Sequence, residues 1–166
     1  MKHYISLALW SLLTFTLPQL ARAEKYAFAH VVVGDTAAHN QAAWENDIQL
    51  AQQAGFDAFV LNCGYPDSNI PTQVANAFAA AEALGSSFKL FFSFDYLGGG
   101  SPWPATGSNS VVSYLQEYGS SAAYFTYEGD LMVSTFEGTS NTGDWVDGGA
   151  IRSAVSQGIY FCPTWT

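Results

Sequence analysis

The stretch Phe88-Lys-Leu-Phe-Phe-Ser-Phe-Asp95 is an almost unbroken apolar run that ends in a serine and a carboxylate. Such a run predicts a β-strand buried on both faces, as in a parallel sheet covered by helices, because a half-exposed strand would alternate apolar and polar residues. Similar runs occupy residues 26–33 and 57–62 upstream, and residues 131–136 and 159–164 downstream. The chain therefore predicts five strands.

Helical patterns fill the gaps between these runs. In the first, Trp44, Ile48 and Ala51 recur at helical spacing and Gly55 follows as a stop; a second apolar stripe ends at Gly85. Two further patterns, near residues 110–118 and at about residues 145–157, predict a third helix and a weaker fourth one.

Strand-helix repetition of this kind predicts right-handed crossovers and a parallel sheet of the α/β class. The first three predicted strands begin 31 residues apart, at positions 26, 57 and 88. Even spacing favours a (β/α)8 TIM barrel, which usually needs about 250 residues. With five strands and four helices before Thr166, we expect an incomplete barrel. A doubly wound open sheet, which five strands can complete, remains the alternative, although no glycine-rich phosphate loop follows the first strand.

The first 23 residues have the features of a signal peptide. Lys2 precedes an apolar run over residues 5–17, and Ala21-Arg-Ala23 closes the leader with a small-x-small pattern. The run is shorter than the roughly 20 residues of a membrane-spanning helix. We expect residues 24–166 to be exported, to the medium or the cell wall, as the N-terminal part of the barrel domain, without a membrane anchor once the leader is removed.

Composition narrows the class of ligand. The chain has 14 acidic and 5 basic residues and a formal net charge of −9, which argues against nucleic acid as a partner. Aromatic residues make up 16% and charged residues 11% of the chain, a balance that suits a neutral polar ligand such as carbohydrate. The sequence contains no zinc-ligand spacing, GxSxG motif or phosphate loop, so we expect no metal and no cofactor.

Two cysteines, Cys63 and Cys162, could pair in an exported protein. They follow predicted strands that are not neighbours, whereas a disulfide requires Cα atoms within about 7 Å. We therefore do not expect a bond between them and favour buried or mispaired thiols.

Polar residues at the ends of the predicted strands are the candidates for a site, because barrel enzymes build their active sites there. Asp95 and Glu137 end two buried strands, where a carboxylate must be hydrogen-bonded or functional. Asp67 lies in a loop after the second strand, where a turn alone could explain it. Asn62 could contact a sugar hydroxyl or bond the backbone, and His30 could project into the rim or be a core histidine.

Four aromatic residues lie in or beside the same loops and could stack on sugar rings, with core packing as the alternative. Trp103, within Pro-Trp-Pro in a long loop, is the least expected to be core. The four are Tyr65, Tyr96, Trp103 and Trp165.

Several of these strings together resemble the fungal α-1,3-glucanases, or mutanases, of glycoside hydrolase family 71. The matching strings span nearly all of the exported chain: Tyr26-Ala-Phe-Ala-His30, Trp44-Glu-Asn-Asp-Ile48, Ala54-Gly-Phe-Asp-Ala-Phe59, Lys89-Leu-Phe-Phe-Ser-Phe-Asp95, Val133-Ser-Thr-Phe-Glu-Gly138 and Asp144-Trp145. Cys63 after Asn62, and Thr164 before Trp165, depart from the family pattern.

The resemblance implies a secreted, endo-acting and inverting hydrolase of α-1,3-glucan, with a catalytic barrel followed by a β-sandwich region. Family members resemble inverting enzymes whose acid and base come from an Asp-x-x-Glu motif on a later strand, and this chain has no such motif. The resemblance therefore implies supporting or binding roles for Asp67, Asp95 and Glu137, and a fragment that is inactive alone. A non-catalytic glucan-binding or degenerate relative, or an unrelated secreted open-sheet protein, remains possible from the residues.

Overall fold

A computed structural model describes residues 25–85 and 87–165. The predicted signal peptide, residues 1–23, lies outside the described residues. Within them the strands are β1 (Phe28–Val32), β2 (Ala58–Gly64), β3 (Lys89–Asp95), β4 (Thr126–Tyr127), β5 (Asp130–Phe136) and β6 (Ile159–Thr164). The helices are α1 (Gln41–Gln53), α2 (Ile70–Leu84), α3 (Val111–Tyr118) and α4 (Ala150–Ala154), with 3-10 turns at Val33–Thr36 and Thr139–Asp144.

The five longer strands form one parallel sheet in the order β1-β2-β3-β5-β6. Each strand-helix unit adds its strand to the same edge of the growing sheet, so strand order follows chain order. A doubly wound sheet instead reverses direction at a switch point, and the described part of the chain contains no reversal. The predicted α/β class and the parallel pairing are confirmed.

The two faces of the sheet differ in burial. One face packs against the helices, and Leu61, Phe92 and Val133 on it are 0% exposed. The other, which we call the open face, carries His30 and Cys162 among its exposed side chains and borders a cavity of about 370 Å³. Both faces of β3 are buried, whereas β1 and β6 are exposed on one side. The expectation of strands buried on both faces is therefore wrong for these two.

The first three helices lie where their patterns predict them. The Asn40 side chain caps α1 by accepting the N–H of Ala43 at 3.0 Å, and Gly85 ends α2 with a left-handed φ of 56°. A capping box in which Ser110 and Ser113 bond each other's backbone N–H begins α3. No helix within the described ranges is long and apolar enough to cross a membrane.

The fourth helix is shorter than predicted. The pattern over residues 145–157 predicts three turns, but α4 has only 5 residues. Gly148 adopts a φ of 81° before it, and Val155 turns to an extended conformation after it. The two consecutive glycines of this segment disfavour a helix because of their conformational freedom, and the apolar spacing is not enough to extend the helix through them.

A short hairpin, which is absent from the predicted elements, joins α3 to β5. Thr126–Tyr127 pairs with the start of β5 through a two-residue turn in which Glu128 has a φ of 53° and Gly129 a φ of 90°. Positive φ at both positions defines a type I′ turn, whose twist matches that of the flanking strands. The Glu-Gly dipeptide shortly before the apolar run that begins at Leu131 was the available signal.

The two cysteines lie on opposite faces of the sheet. Cys63 is 0% exposed on the helix-covered face, and Cys162 is exposed on the open face. Side chains on opposite faces cannot be bridged, so the expectation that these two cysteines do not bond each other is confirmed. Burial raises the pKa of the Cys63 thiol, which makes it a poor nucleophile.

Candidate functional site

Polar side chains lie side by side where the parallel strands end. The sheet register puts Asn62 next to Ser93, Ser93 next to Ser134, and Ser134 next to Cys162. We call these four residues the strand-end row. Ligands of α/β proteins bind at the carboxyl ends of parallel strands, so this row and the loops that follow it form the candidate site.

Two members of the row, Ser93 and Ser134, were not among the candidate residues from the sequence. Ser93 follows Asn62 by 31 residues, the same interval that separates the predicted strand starts. Residues one interval apart on neighbouring parallel strands share a face. The spacing was therefore a usable signal for Ser93, whereas the hairpin before β5 breaks the interval for Ser134.

Asp95 ends β3, is 8% exposed, and accepts three hydrogen bonds. Its Oδ2 accepts a bond from the Asn62 side-chain amide at 3.3 Å. Its Oδ1 accepts the backbone N–H groups of Leu97 at 2.8 Å and Gly98 at 2.6 Å. The carboxylate therefore orients Asn62 and holds the start of the β3–α3 loop.

The loops after β2 and β3 approach each other closely. A Cβ atom on Gly99 would lie only 2.1 Å from the backbone nitrogen of Tyr65. The N–H of Ser101 donates to the carbonyl of Tyr65 at 3.0 Å across the same contact. Glycine is required at position 99 because any side chain would collide with backbone, and the contact holds both loops at the rim of the candidate site.

Glu137 follows β5 in an unusual backbone conformation. Its φ is 56°, in the left-handed region that residues other than glycine rarely adopt. Its N–H donates to the carbonyl of Thr164 at 2.9 Å, which joins the ends of β5 and β6. Non-glycine residues in this conformation cluster at functional sites, so the geometry agrees with Glu137 as a candidate.

Asp67 forms a turn at the start of α2. Its Oδ1 accepts the N–H of Asn69 at 2.8 Å. A Cβ atom on Gly34, after β1, would lie 2.5 Å from Asp67 Oδ2. The carboxylate thus lies between the loops after β1 and β2, on the side of the strand-end row away from Glu137.

Trp103 is a core residue, which corrects the expectation that it stacks on ligand. It is 3% exposed and packs against Tyr65, Phe94 and Tyr114 with ring centroids 5.1 to 5.4 Å apart. Its indole N–H donates to the carbonyl of Cys63 at 2.7 Å. Tertiary packing covers the ring because the β3–α3 loop folds back over the helix-covered face.

Tyr96 is likewise buried, which makes the alternative of core packing the correct one for this residue. It is 6% exposed, and its hydroxyl accepts the indole N–H of Trp145 at 3.3 Å. A Cβ on Gly138 would lie 2.8 Å from its ring, so the ring rests on the backbone after Glu137. Burial raises the pKa of Tyr96 to about 12. The hydrogen bond from Trp145 lowers this pKa, and the nearby charge of Asp144 raises it further.

This burial predicts a loss of stability in alkali. Unfolded tyrosine titrates near pH 10, so the stabilisation from neutral Tyr96 is complete below pH 10 and is lost as the pH rises through about 12. We expect the free energy of unfolding to fall by up to about 1.4 kcal/mol per pH unit from this residue. In urea unfolding between pH 8 and 11.5, the free energy of unfolding should decline less steeply with pH for Tyr96→Phe than for the parent chain. Equal slopes for the two chains would contradict this prediction.

The remaining candidates are accessible to different degrees. His30 is exposed on the open face and lines its cavity together with Ser93, Ser134 and Thr164. Trp165 is 42% exposed just beyond β6. Tyr65 is half-buried, with one side of its ring against Trp103. Among the four predicted stacking residues, only Tyr65 and Trp165 therefore offer ring surface to a ligand.

No metal site is formed by the described residues. They contain no group of three or more His, Cys, Asp or Glu side chains close enough to hold a metal ion. The strand-end row can instead donate and accept hydrogen bonds through one amide and two hydroxyls. Such groups bind a neutral ligand rich in hydroxyls.

Comparison with known proteins identifies similar chains. A model of glycosyl hydrolase family 71 matches residues 23–166. A mutanase of Penicillium rubens is 36% identical over 140 residues, which are 84% of this chain and 29% of that protein. A glucan endo-1,3-alpha-glucosidase of Schizosaccharomyces pombe is 31% identical over 171 residues, covering 98% of this chain and 39% of that protein.

A third relative, an ascus wall endo-1,3-alpha-glucanase of Schizosaccharomyces pombe, is 31% identical over 164 residues, covering 92% of this chain and 35% of that protein. The chain thus spans about a third of the length of the curated relatives it matches.

Proposed function

This chain belongs to glycosyl hydrolase family 71, and from that premise we propose that it is part of a secreted hydrolase of α-1,3-glucan, endo-acting and inverting. The names of its relatives, a mutanase and two glucanases, support the substrate. The observation that carries the proposal is the cavity on the open face beside the strand-end row, which is lined by the side chains of Ser93, Ser134 and Thr164 on one face of a parallel sheet.

We further propose that residues 24–166 form the first part of a (β/α)8 barrel, and that residues 1–23 are a signal peptide. Strands added in chain order with helices on one side support this architecture, because a barrel closes by continuing that pattern. The open face would then be the barrel interior. The greater length of the relatives also supports the assignment.

In this proposal the carboxylates at the rim support the substrate and do not supply the acid and base. Inverting hydrolysis needs two carboxyls about 6.5–9.5 Å apart, one to protonate the leaving oxygen and one to activate water. Asp95 is already committed to Asn62 and to two backbone N–H groups, so it acts as a positioning residue. Glu137 and His30 would contact the glucan from the rim. Asn62, which is 6% exposed and bonded to Asp95, would support the site from behind, and Asp67 would support it from the side.

A binding and hydrolysis assay tests the proposal. We expect the chain, purified from the medium of a fungal expression host, to sediment with insoluble α-1,3-glucan without releasing reducing sugar. Starch, an α-1,4-glucan, is the matched control and should sediment much less of the chain than α-1,3-glucan does. Equal sedimentation with both glucans would overturn the substrate, and sugar release from α-1,3-glucan would overturn the supporting role of the carboxylates.

Trp165→Ala should weaken this binding by about three- to tenfold, because a stacked aromatic ring contributes roughly 0.5–1.5 kcal/mol beyond its buried area. The side chain is 42% exposed, so the stability of the chain should change little. Tyr160→Ala, which removes a ring that is 40% exposed at the opposite end of β6, is the control and should bind normally. Equal affinity of the two variants in a sedimentation titration would argue against stacking.

A further inference from the structure

A second cavity lies on the helix side of β2 and β3, away from the strand-end row. It has a volume of about 260 Å³. Ile70 and Pro71 in the first turn of α2 form one wall, and Tyr114 of α3 forms the opposite wall. None of its lining residues also lines the cavity on the open face. The two cavities are therefore separate sites on opposite sides of the sheet.

The chemistry of this cavity combines apolar walls with two polar groups. Tyr65 and Pro66 contribute a ring and a flat apolar surface next to the edge of Trp103. Asp67 also lines the cavity. Its Oδ1 accepts the N–H of Asn69, and its Oδ2, which lies beside Gly34, accepts no hydrogen bond from the described residues. The Asn109 side-chain amide also has no hydrogen-bond partner within the described part of the chain. Two uncommitted polar groups thus border an apolar surface.

We propose that this cavity binds one glucosyl residue of the polysaccharide, as a sugar site outside the cleft; the inference rests on the proposed function. A pyranose ring offers C–H groups to Tyr65 and the prolines, and hydroxyls that can donate to Asp67 and bond the amide of Asn109. The volume is below the roughly 300–1,000 Å³ of sites for drug-sized ligands, which suits one sugar unit. The net charge of −9 disfavours an anion.

Occupation of the cavity would hold a glucan chain beside the rim while another part of it lies over the strand-end row. Asn109 is suited to a test because its φ is 50°. Glycine accepts this conformation without strain, so Asn109→Gly removes the amide without disturbing the backbone. Ser68→Trp fills the cavity from its exposed edge.

Titration of the intact chain with glucose and with the α-1,3-linked disaccharide nigerose, followed calorimetrically and by NMR, tests the proposal. We expect one saturable site, weakened about two- to tenfold by Asn109→Gly, the effect of one lost hydrogen bond, and abolished by Ser68→Trp. Ser108→Gly, which removes the neighbouring exposed hydroxyl outside the cavity, should bind normally. Circular dichroism confirms that each variant is folded.

Three results would each overturn the inference. The chain could fail to bind either sugar, both cavity variants could bind as the parent does, or the cavity could bind the cation choline more tightly than glucose. The two proposals fail separately. If the chain binds neither glucose nor nigerose, but the parent and both cavity variants still sediment with insoluble α-1,3-glucan, only the second site is excluded. Glucose binding at the cavity without any affinity for α-1,3-glucan removes the proposed function and leaves a sugar site.

Discussion

Trp103→Ala is expected to lower the free energy of unfolding by about 3–5 kcal/mol, the range for truncating a large buried aromatic residue. The indole is 3% exposed and contacts the rings of Tyr65, Phe94 and Tyr114. Its removal leaves a void between the β3–α3 loop and the sheet and deprives the Cys63 carbonyl of its bond. Urea unfolding followed by far-UV circular dichroism measures the loss.

Two further variants separate packing from ligand stacking at this position. Trp103→Phe keeps most of the apolar contact but loses the hydrogen bond, so we expect about half the destabilisation of alanine. Trp165→Ala is the matched control, because it removes an indole that is 42% exposed. A Trp103→Ala chain that is as stable as the parent but no longer binds glucan would contradict the core assignment.

Asp95→Ala is expected to destabilise the chain by roughly 3 kcal/mol, because the bonds of a buried carboxylate are charge-assisted and their loss leaves the Asn62 amide unsatisfied. The variant also releases the N–H groups of Leu97 and Gly98. We expect the β3–α3 loop to become susceptible to limited proteolysis. Unfolding in urea and the rate of proteolytic cleavage both measure the effect.

Asp147→Ala is the matched control for Asp95, since it removes an exposed carboxylate from another loop after a strand. Its effect should stay within about 0.5 kcal/mol. Asp95→Asn, which keeps one acceptor oxygen, should fall between the two. If Asp95→Ala leaves stability unchanged and abolishes glucan binding, Asp95 contacts the ligand directly and is not a positioning residue.

Most of the fold could be predicted from local patterns. The predicted strand at residues 159–164 coincides with β6, and the other four differ by at most two residues at either end. The exceptions are α4 and the hairpin before β5. Both depend on glycine in left-handed conformations, at Gly148 and Gly129. Backbone conformation at a glycine is set by what surrounds it, so apolar periodicity carries little information there.

The candidate site was predicted less completely. Position at a strand end predicted that Asn62, Asp95 and Glu137 lie at one edge of the sheet, because the register of a parallel sheet carries every strand end to the same edge. The aromatic candidates could not be sorted in the same way. Trp103 and Trp165 both lie beyond strand ends with a proline close by, yet one is buried and the other is exposed.

The sequence by itself determined the strand-helix alternation, the family and the edge of the sheet where polar groups meet, because each of these follows from residues close together in the chain or from strings shared with relatives. Only the tertiary structure decided which of those polar and aromatic groups are available to a ligand. Trp103 is held by a carbonyl 40 residues away and Asp95 by an amide 33 residues away. Whether a side chain supports the site or contacts a ligand depends on such long-range contacts, which form only when the strands assemble.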